Sequence, residues 1–298
     1  MNARAQMTLD RRALGRALSR AANASVEEIL AADAGEAATR ARRIGVTGPP
    51  GAGKSTLIAA LARYRLEHAG RVAIIAVDPS SSKTHGSVLG DRIRMDRLVD
   101  DPRVYIRSLA SRGASDGLAE NLPEILAVLD DFGFDEIILE TVGVGQSEFA
   151  VRDLVDIELL VMAPGAGDQI QAMKAGIIET ADIYVVNKAD QPGAARAETE
   201  LRAILTMTAG SAPVPPIIRV QADTGEKMDE LDAAIEDCVR RRKEGDADAV
   251  RRGRHRVKGL IVRRLNEVLL DMPVALEGRP IREVYDAVMD TLSQRTGP

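Results

Sequence analysis

The segment Gly48-Pro49-Pro50-Gly51-Ala52-Gly53-Lys54-Ser55-Thr56 constrains this chain more than any other. The apolar run Ile44-Gly45-Val46 leads into it as a strand, and Thr56-Leu57-Ile58-Ala59-Ala60-Leu61 leads out as a helix. A strand–loop–helix of this composition is a phosphate loop. Backbone N–H groups of the loop and the positive end of the helix converge on one point, where α and β phosphates are cradled. Lys54 is placed to reach the β and γ oxygens, and Ser55 to offer its hydroxyl to Mg²⁺. Pro49 and Pro50 stiffen the loop by fixing φ, and Gly53 lets the backbone approach phosphate closely.

A second motif, Asn187-Lys188-Ala189-Asp190, also stands at the end of an apolar run. The Asp190 carboxylate is suited to accept two hydrogen bonds, from N1 and the exocyclic amine of guanine. Adenine offers no such pair of donors. Lys188 lays its aliphatic stem beside the base. Together the motifs specify GTP and GDP. Gln221-Ala222-Asp223, after Ile217-Ile218-Arg219-Val220, occupies the expected second base-contacting position.

The rest of the chain repeats a strand–helix alternation. Short, branched, apolar runs predict strands at 43–47, 71–77, 103–107, 136–140, 157–163, 182–187 and 216–220. Helical patterns intervene near 54–69, 119–131, 168–180, 194–208 and 226–243. Continuous apolar strands fit a mostly parallel central sheet flanked by helices, an α/β P-loop NTPase. Functional loops are then expected beyond the carboxyl ends of the strands. Residues 1–40 read as an N-terminal helical extension, in which Ser25 and Glu28 have the spacing of a capping box. Residues 41–245 form the nucleotide domain, ended by the charged break Arg240-Arg241-Arg242-Lys243. Residues 246–298 carry two amphipathic helices with stripes of Val257, Leu260, Ile261, Leu265, Val268 and Leu269, and of Ile281, Val284, Tyr285, Val288 and Met289. Packing within the subunit and an oligomerisation arm are equally compatible with such stripes.

Composition narrows the classes. A formal charge of -5 with 2% aromatic residues and no Trp argues against a nucleic-acid partner. No apolar stretch reaches membrane-spanning length, so no membrane partner is expected. The single Cys238 builds neither a disulfide nor a thiolate cage, and a reducing, cytoplasmic location is expected. The N-terminus lacks the apolar core of a signal peptide and reads as folded helix.

Four further loops carry chemistry. Asp78 ends the second strand and is a candidate for the Mg²⁺ site; an Asx turn is the plain alternative. Asp91, in Gly86-Ser87-Val88-Leu89-Gly90-Asp91, is a second candidate, against a simple ion pair with Arg92 or Arg94. In Glu140-Thr141-Val142-Gly143-Val144-Gly145-Gln146-Ser147-Glu148, Glu140 is suited to hold a magnesium-bound water. The Gly143 N–H is suited to approach the γ phosphate, and Gln146 or Glu148 to orient the attacking water. Asp168 and Gln171, in Gly167-Asp168-Gln169-Ile170-Gln171, fit either a helix cap or a moving loop.

These stretches resemble the methylmalonyl-CoA mutase-associated GTPases of the MeaB/ArgK/MMAA type, within the SIMIBI P-loop GTPases. The resemblance is close over about residues 40–240 and looser at the flanks. It implies a chaperone GTPase that gates adenosylcobalamin delivery to a B12-dependent acyl-CoA mutase and protects or reactivates it. The implied cofactors are GTP/GDP and Mg²⁺, with no cobalamin bound directly. The implied partners are the mutase, its adenosyltransferase and a second copy in a homodimer built through the C-terminal helices. By carry-over, 48–56 hold the phosphates, Asp190 reads guanine and 221–223 close on the base. Ser55, Asp78, Asp91 and Glu140 surround Mg²⁺, and Gly143, Gln146, Asp168, Gln171 and Lys174 belong to nucleotide-responsive segments. Gln221 stands where Ser is more usual, which preserves a backbone contact and removes a hydroxyl. The rivals are a nickel-insertion GTPase of urease or hydrogenase maturation, which one Cys and three scattered His support poorly, a kinase for amino-acid-binding proteins, and a non-catalytic GTP-dependent scaffold.

Overall fold

The computed structural model describes residues 9–32, 40–79, 96–111, 121–141, 151–165, 181–210, 212–242, 247–272 and 279–295. Seven strands form one sheet: β1 Arg42–Thr47, β2 Val72–Pro79, β3 Val104–Ser111, β4 Glu136–Glu140, β5 Ile157–Met162, β6 Ile183–Val186 and β7 Ile217–Arg219. Their order is β3-β2-β4-β1-β5-β6-β7, and every pairing is parallel. The helices are α1 Arg11–Asn23, α2 Val26–Ala32, α3 Lys54–Arg65, α4 Asp96–Val99, α5 Leu122–Asp131, α6 Ala194–Ala209, α7 Met228–Arg242, α8 Ala247–Asp271 and α9 Ile281–Arg295. This is the α/β P-loop NTPase architecture read from the strand pattern.

Alternation along the strands sorts the core into layers. Ile44, Val46, Ile74, Ile138, Leu159 and Val161 pack with Leu57 and Leu61 of α3 and Leu231 and Ile235 of α7. Ala73, Ile75, Ile137 and Leu139 turn the other way, onto Leu14 and Leu18 of α1 and Leu122 and Leu126 of α5. Leu160, Met162, Tyr184 and Val186 pack with α6. Every residue of β4, β5 and β6 is buried, which is why these runs carry no polar alternation. β1 lies between β4 and β5, where the sheet order reverses. The crevice beyond its carboxyl end is the place where such sheets bind ligands.

Two strands run further than their sequence suggests. β2 and β3 stay paired from Val72↔Val104 to Pro79↔Ser111, although Ser108-Leu109-Ala110-Ser111 has little strand character of its own. Ladder pairing with a neighbour overrides weak local preference. The expected helix at 168–180 lies outside the described residues.

The chain divides into two compact units, residues 1–23 with 36–248, and residues 24–35 with 249–298. In the second unit α2 begins with a closed capping box: the Ser25 N–H donates to Glu28 Oε2 (2.8 Å), and the Glu28 N–H to Ser25 Oγ (3.1 Å). Arg263 donates to the Ala24 carbonyl (2.7 Å), and Arg264 pairs with Glu27, so α2 is tied to α8. Val268 and Val288 are buried, while Ile261, Leu270, Ile281 and Tyr285 are exposed.

In the first unit, the end of α3 remote from the phosphate loop is fixed by charge. The Arg65 guanidinium pairs with Glu136 at the start of β4 and with Asp232 and Glu236 of α7; Arg42 pairs with the same two glutamates. Burial alone would lower the Arg65 pKa, but the bonds and charges of its carboxylate partners hold it above the ordinary arginine value.

Candidate functional site: a guanine-nucleotide crevice

The phosphate loop joins β1 to α3 through three glycines at positive φ: Gly48 at 140°, Gly51 at 79° and Gly53 at 87°. Two of them also answer to close contacts. A Cβ on Gly48 would stand 2.1 Å from the Val161 carbonyl oxygen, and one on Gly53 would stand 2.4 Å from Asn187 Nδ2. The loop is therefore pressed against the ends of β5 and β6, with no room for a side chain at Gly48 or Gly53. Ala52 is buried in the core beneath it.

Lys54 opens α3 and folds its ammonium back over the loop. Nζ donates to the carbonyls of Gly48 (2.7 Å) and Pro49 (3.2 Å). Next to it the Ser55 hydroxyl donates to Glu140 Oε1 at 2.8 Å, with both residues buried. Register explains the meeting: Glu140 ends β4 directly beside Val46 of β1, at the mouth of the phosphate loop. The two oxygens suit magnesium. Both are hard donors, and neighbouring oxygens on a magnesium octahedron with ~2.1 Å bonds stand about 3 Å apart.

Asn187, 2% exposed, connects the parts of the base side. Its Nδ2 donates to the carbonyls of Ala52 (3.0 Å) and Gly53 (3.4 Å). Its Oδ1 accepts the N–H groups of Lys188 (2.8 Å) and Ala222 (3.2 Å). One amide thus joins the phosphate loop, the turn after β6 and the loop after β7. Lys188, at φ 57°, donates from Nζ to the Gly51 carbonyl at 2.9 Å. The Ala189 N–H bonds to the Val220 carbonyl (3.0 Å), which fixes the turn that leaves Asp190 exposed. Gln221 closes a short turn: its N–H bonds to the Glu226 carbonyl (3.3 Å), and its own carbonyl accepts the Gly225 N–H (2.9 Å). Ala222 is buried and Asp223 exposed.

The structure thus gathers Gly48, Pro49, Pro50, Gly51, Ala52, Gly53, Lys54, Ser55 and Thr56 with Glu140, Asn187, Lys188 and Ala222 at one edge of the sheet. Asp78 lies within β2, opposite Ala110 of β3, but its side chain is not among those described. Asp91, Gly143, Gln146, Asp168, Gln171 and Lys174 lie outside the described residues. Among the described residues no group of three His, Cys, Asp or Glu gathers as a metal site, and no helix is long and apolar enough to cross a membrane. Sequence reasoning placed Asn187 with the nucleotide but missed it as the brace among three loops. Nothing local announces that role, which depends on three strand ends meeting.

A phosphate loop and an Asn-Lys-x-Asp turn at the switch point of a parallel sheet define a P-loop GTPase. The chain belongs to the family of the methylmalonyl-CoA mutase-associated GTPase MeaB, whose model matches residues 11–289, within the MeaB/ArgK/MMAA-type SIMIBI GTPases. A relative from Pyrococcus horikoshii is 46% identical over 192 residues, 63% of this chain and 61% of its own length. The methylmalonic aciduria type A homolog of Mus musculus is 41% identical over 194 residues, 63% of this chain and 47% of its own. The chain spans about 60% of the length of the curated relatives it first matches. A crystal structure described as LAO/AO transport system kinase aligns with a TM-score of 0.64 at 25% identity, over 96% of this chain and 93% of its own. HypB from Helicobacter pylori in complex with nickel aligns at 0.50 with 16% identity, over 75% and 95%, a likeness of fold alone.

The relatives correct one expectation. Those from Mus musculus and Caenorhabditis briggsae are mitochondrial proteins by name, so the cytoplasmic location read from composition does not stand. A lone cysteine fits any reducing compartment and so does not select the cytosol.

Proposed function

We propose that this protein hydrolyses GTP and uses the change of nucleotide state to gate adenosylcobalamin delivery to a B12-dependent acyl-CoA mutase, and to protect or reactivate that enzyme. The observation that carries the reading is the Asn187 amide, which holds the guanine turn and the phosphate loop as one site. The family match and the name of the mouse relative support the client. Backbone N–H groups of 48–56 bind the phosphates. Lys54 exchanges its carbonyl partners for β and γ oxygens. Asp190 accepts from guanine, and Gln221, Ala222 and Asp223 cover the base. Ser55 and Glu140, with Asp78 and Asp91, hold Mg²⁺, which neutralises charge developing on the transferred phosphoryl group. Gly143, Gln146, Asp168, Gln171 and Lys174 are assigned to the segments that respond to the γ phosphate. Cobalamin stays on the client and its adenosyltransferase.

Hydrolysis by the isolated protein is expected to be slow, because client contact supplies part of the order the site needs. Domains at 1–40, 41–245 and 246–298 fit this division of labour, with the last pairing two copies through the exposed apolar residues of α8 and α9. Capture of purified adenosylcobalamin-dependent mutases on the immobilised protein, with GDP or a non-hydrolysable GTP analogue, tests the proposal. Affinity that differs between the two states supports it. Absence of binding in either state, with cofactor loading indifferent to nucleotide, rejects it.

A further inference from the structure

α1 carries four arginines and no acidic residue in its thirteen positions. Arg12, Arg16 and Arg20 recur every fourth residue, so they form one row along the helix. All three are exposed, and at roughly 100° per residue they lie opposite Leu14 and Leu18, which are fully buried. Most described arginines of the first unit have an acidic or carbonyl partner, as Arg11 does with the carbonyls of Asp101 and Val104, both at 2.9 Å. The side chains of the three in the row make no hydrogen bond or ion pair with a described residue. Asp10 feels the charges of Arg16 and Arg12, but its Oδ1 already accepts the backbone N–H groups of Arg12 (3.0 Å) and Ala13 (2.9 Å) as a helix cap.

The row works against its own helix. Like charges four residues apart repel, and a cation in the first turn opposes the helix dipole. The Asp10 cap and the placing of Arg20 in the last turn offset only part of this. The platform beneath is nonetheless firmly held. Arg107 donates to the Gly15 carbonyl (3.4 Å) and Ser19 Oγ (3.2 Å), and Asn121 donates to the Ala21 carbonyl (2.9 Å). Three arginine backbone positions about 6 Å apart are thereby presented along one fixed helix face.

We propose that this row docks an acidic helix face of the client protein, with carboxylates at the same four-residue spacing; the proposal rests on the client reading above. Guanidinium–carboxylate pairs are directional and bidentate, and a helix is the element that repeats charges at this interval. A lipid surface fits less well, because the apolar side of α1 is already inside the protein. Nucleic acid is disfavoured by the overall charge of -5.

The test compares three full-length proteins binding the client mutase at ~50 mM and ~300 mM salt. They are the parent, the charge reversal R12E/R16E/R20E and the neutralised R12Q/R16Q/R20Q. At low salt the association rate should fall about tenfold or more on reversal and several-fold on neutralisation, and both gaps should narrow at high salt. GTP turnover without client should be unchanged in the neutralised protein, and its melting temperature should be no lower than that of the parent. Equal affinity of parent and neutralised protein at low salt overturns the docking row and leaves the client reading standing. A parent that binds no mutase overturns both.

Discussion

Asn187 Nδ2 donates to the Ala52 carbonyl across 3.0 Å, so the residue that opens the guanine turn also holds the phosphate loop. Base and phosphate recognition therefore share one buried amide. Asn187→Ala should lower affinity for GTP and GDP by about tenfold or more and destabilise the fold by about 2–4 kcal/mol, since it leaves buried N–H and carbonyl groups without partners. Calorimetric titration and thermal unfolding report the two effects. An unchanged affinity would separate the two loops.

Base choice rests on Asp190. Asp190→Asn turns one acceptor toward guanine into a donor, so GTP affinity should drop at least ~10-fold and XTP affinity should rise. Titration with GTP, ATP and XTP decides it. Equal binding of GTP and ATP by the parent would remove the basis for the assignment.

The loop glycines are not equivalent. Gly48→Ala sets a methyl group against the Val161 carbonyl and should cost about 3 kcal/mol or more. Gly51→Ala meets nothing within 4 Å and should cost only the ~1 kcal/mol of its left-handed φ. Urea unfolding of the two variants separates contact from conformation.

Glu140→Gln keeps the shape beside Ser55 and removes the charge. The Mg²⁺ concentration needed for half-maximal GTP binding should rise about tenfold, while nucleotide binding in excess chelator stays as in the parent. A parallel loss without metal would make Glu140 a packing residue.

Asp101 gives a sign to the acid limb of stability. Arg103 chelates it from Nε (3.1 Å) and Nη2 (2.8 Å), and that contact foremost holds its carboxyl below the ordinary aspartate value. A carboxylate with a depressed folded pKa stabilises above the unfolded value, near 4. It loses that contribution as pH falls through the folded one. The melting-temperature gap between the parent and Asp101→Asn should therefore be full at neutral pH and close below about pH 4. A gap that persists in acid would mean that packing, not charge, sets it.

Much of this architecture is legible in the sequence because its signals are local. Ile44-Gly45-Val46 and Ile137-Ile138-Leu139 announce buried strands by composition, and Gly53-Lys54-Ser55 announces the phosphate loop by chemistry. Ser25 and Glu28 announce a helix start that the hydrogen bonds complete. The signals fail where a partner decides. The last residues of β3 are strand only because β2 lies beside them. The grouping of α2 with the C-terminal helices depends on Arg263 and Arg264, more than two hundred residues away along the chain. Asn187 reads as a base contact from its motif, and only the meeting of β1, β6 and β7 makes it a brace.

The Arg65 cluster bears on how natural variants of this protein will be read. α3 has twelve residues, so its clamped end lies about 18 Å from the loop it supports. Because the clamp is internal, the helix transmits displacement as a rod instead of fraying. A substitution at Asp232 or Glu236, on a different helix and remote from any nucleotide atom, will then register in a screen as a nucleotide-affinity defect. Sorting such alleles by distance from the ligand would misclassify them; sorting them by which end of α3 they release would not.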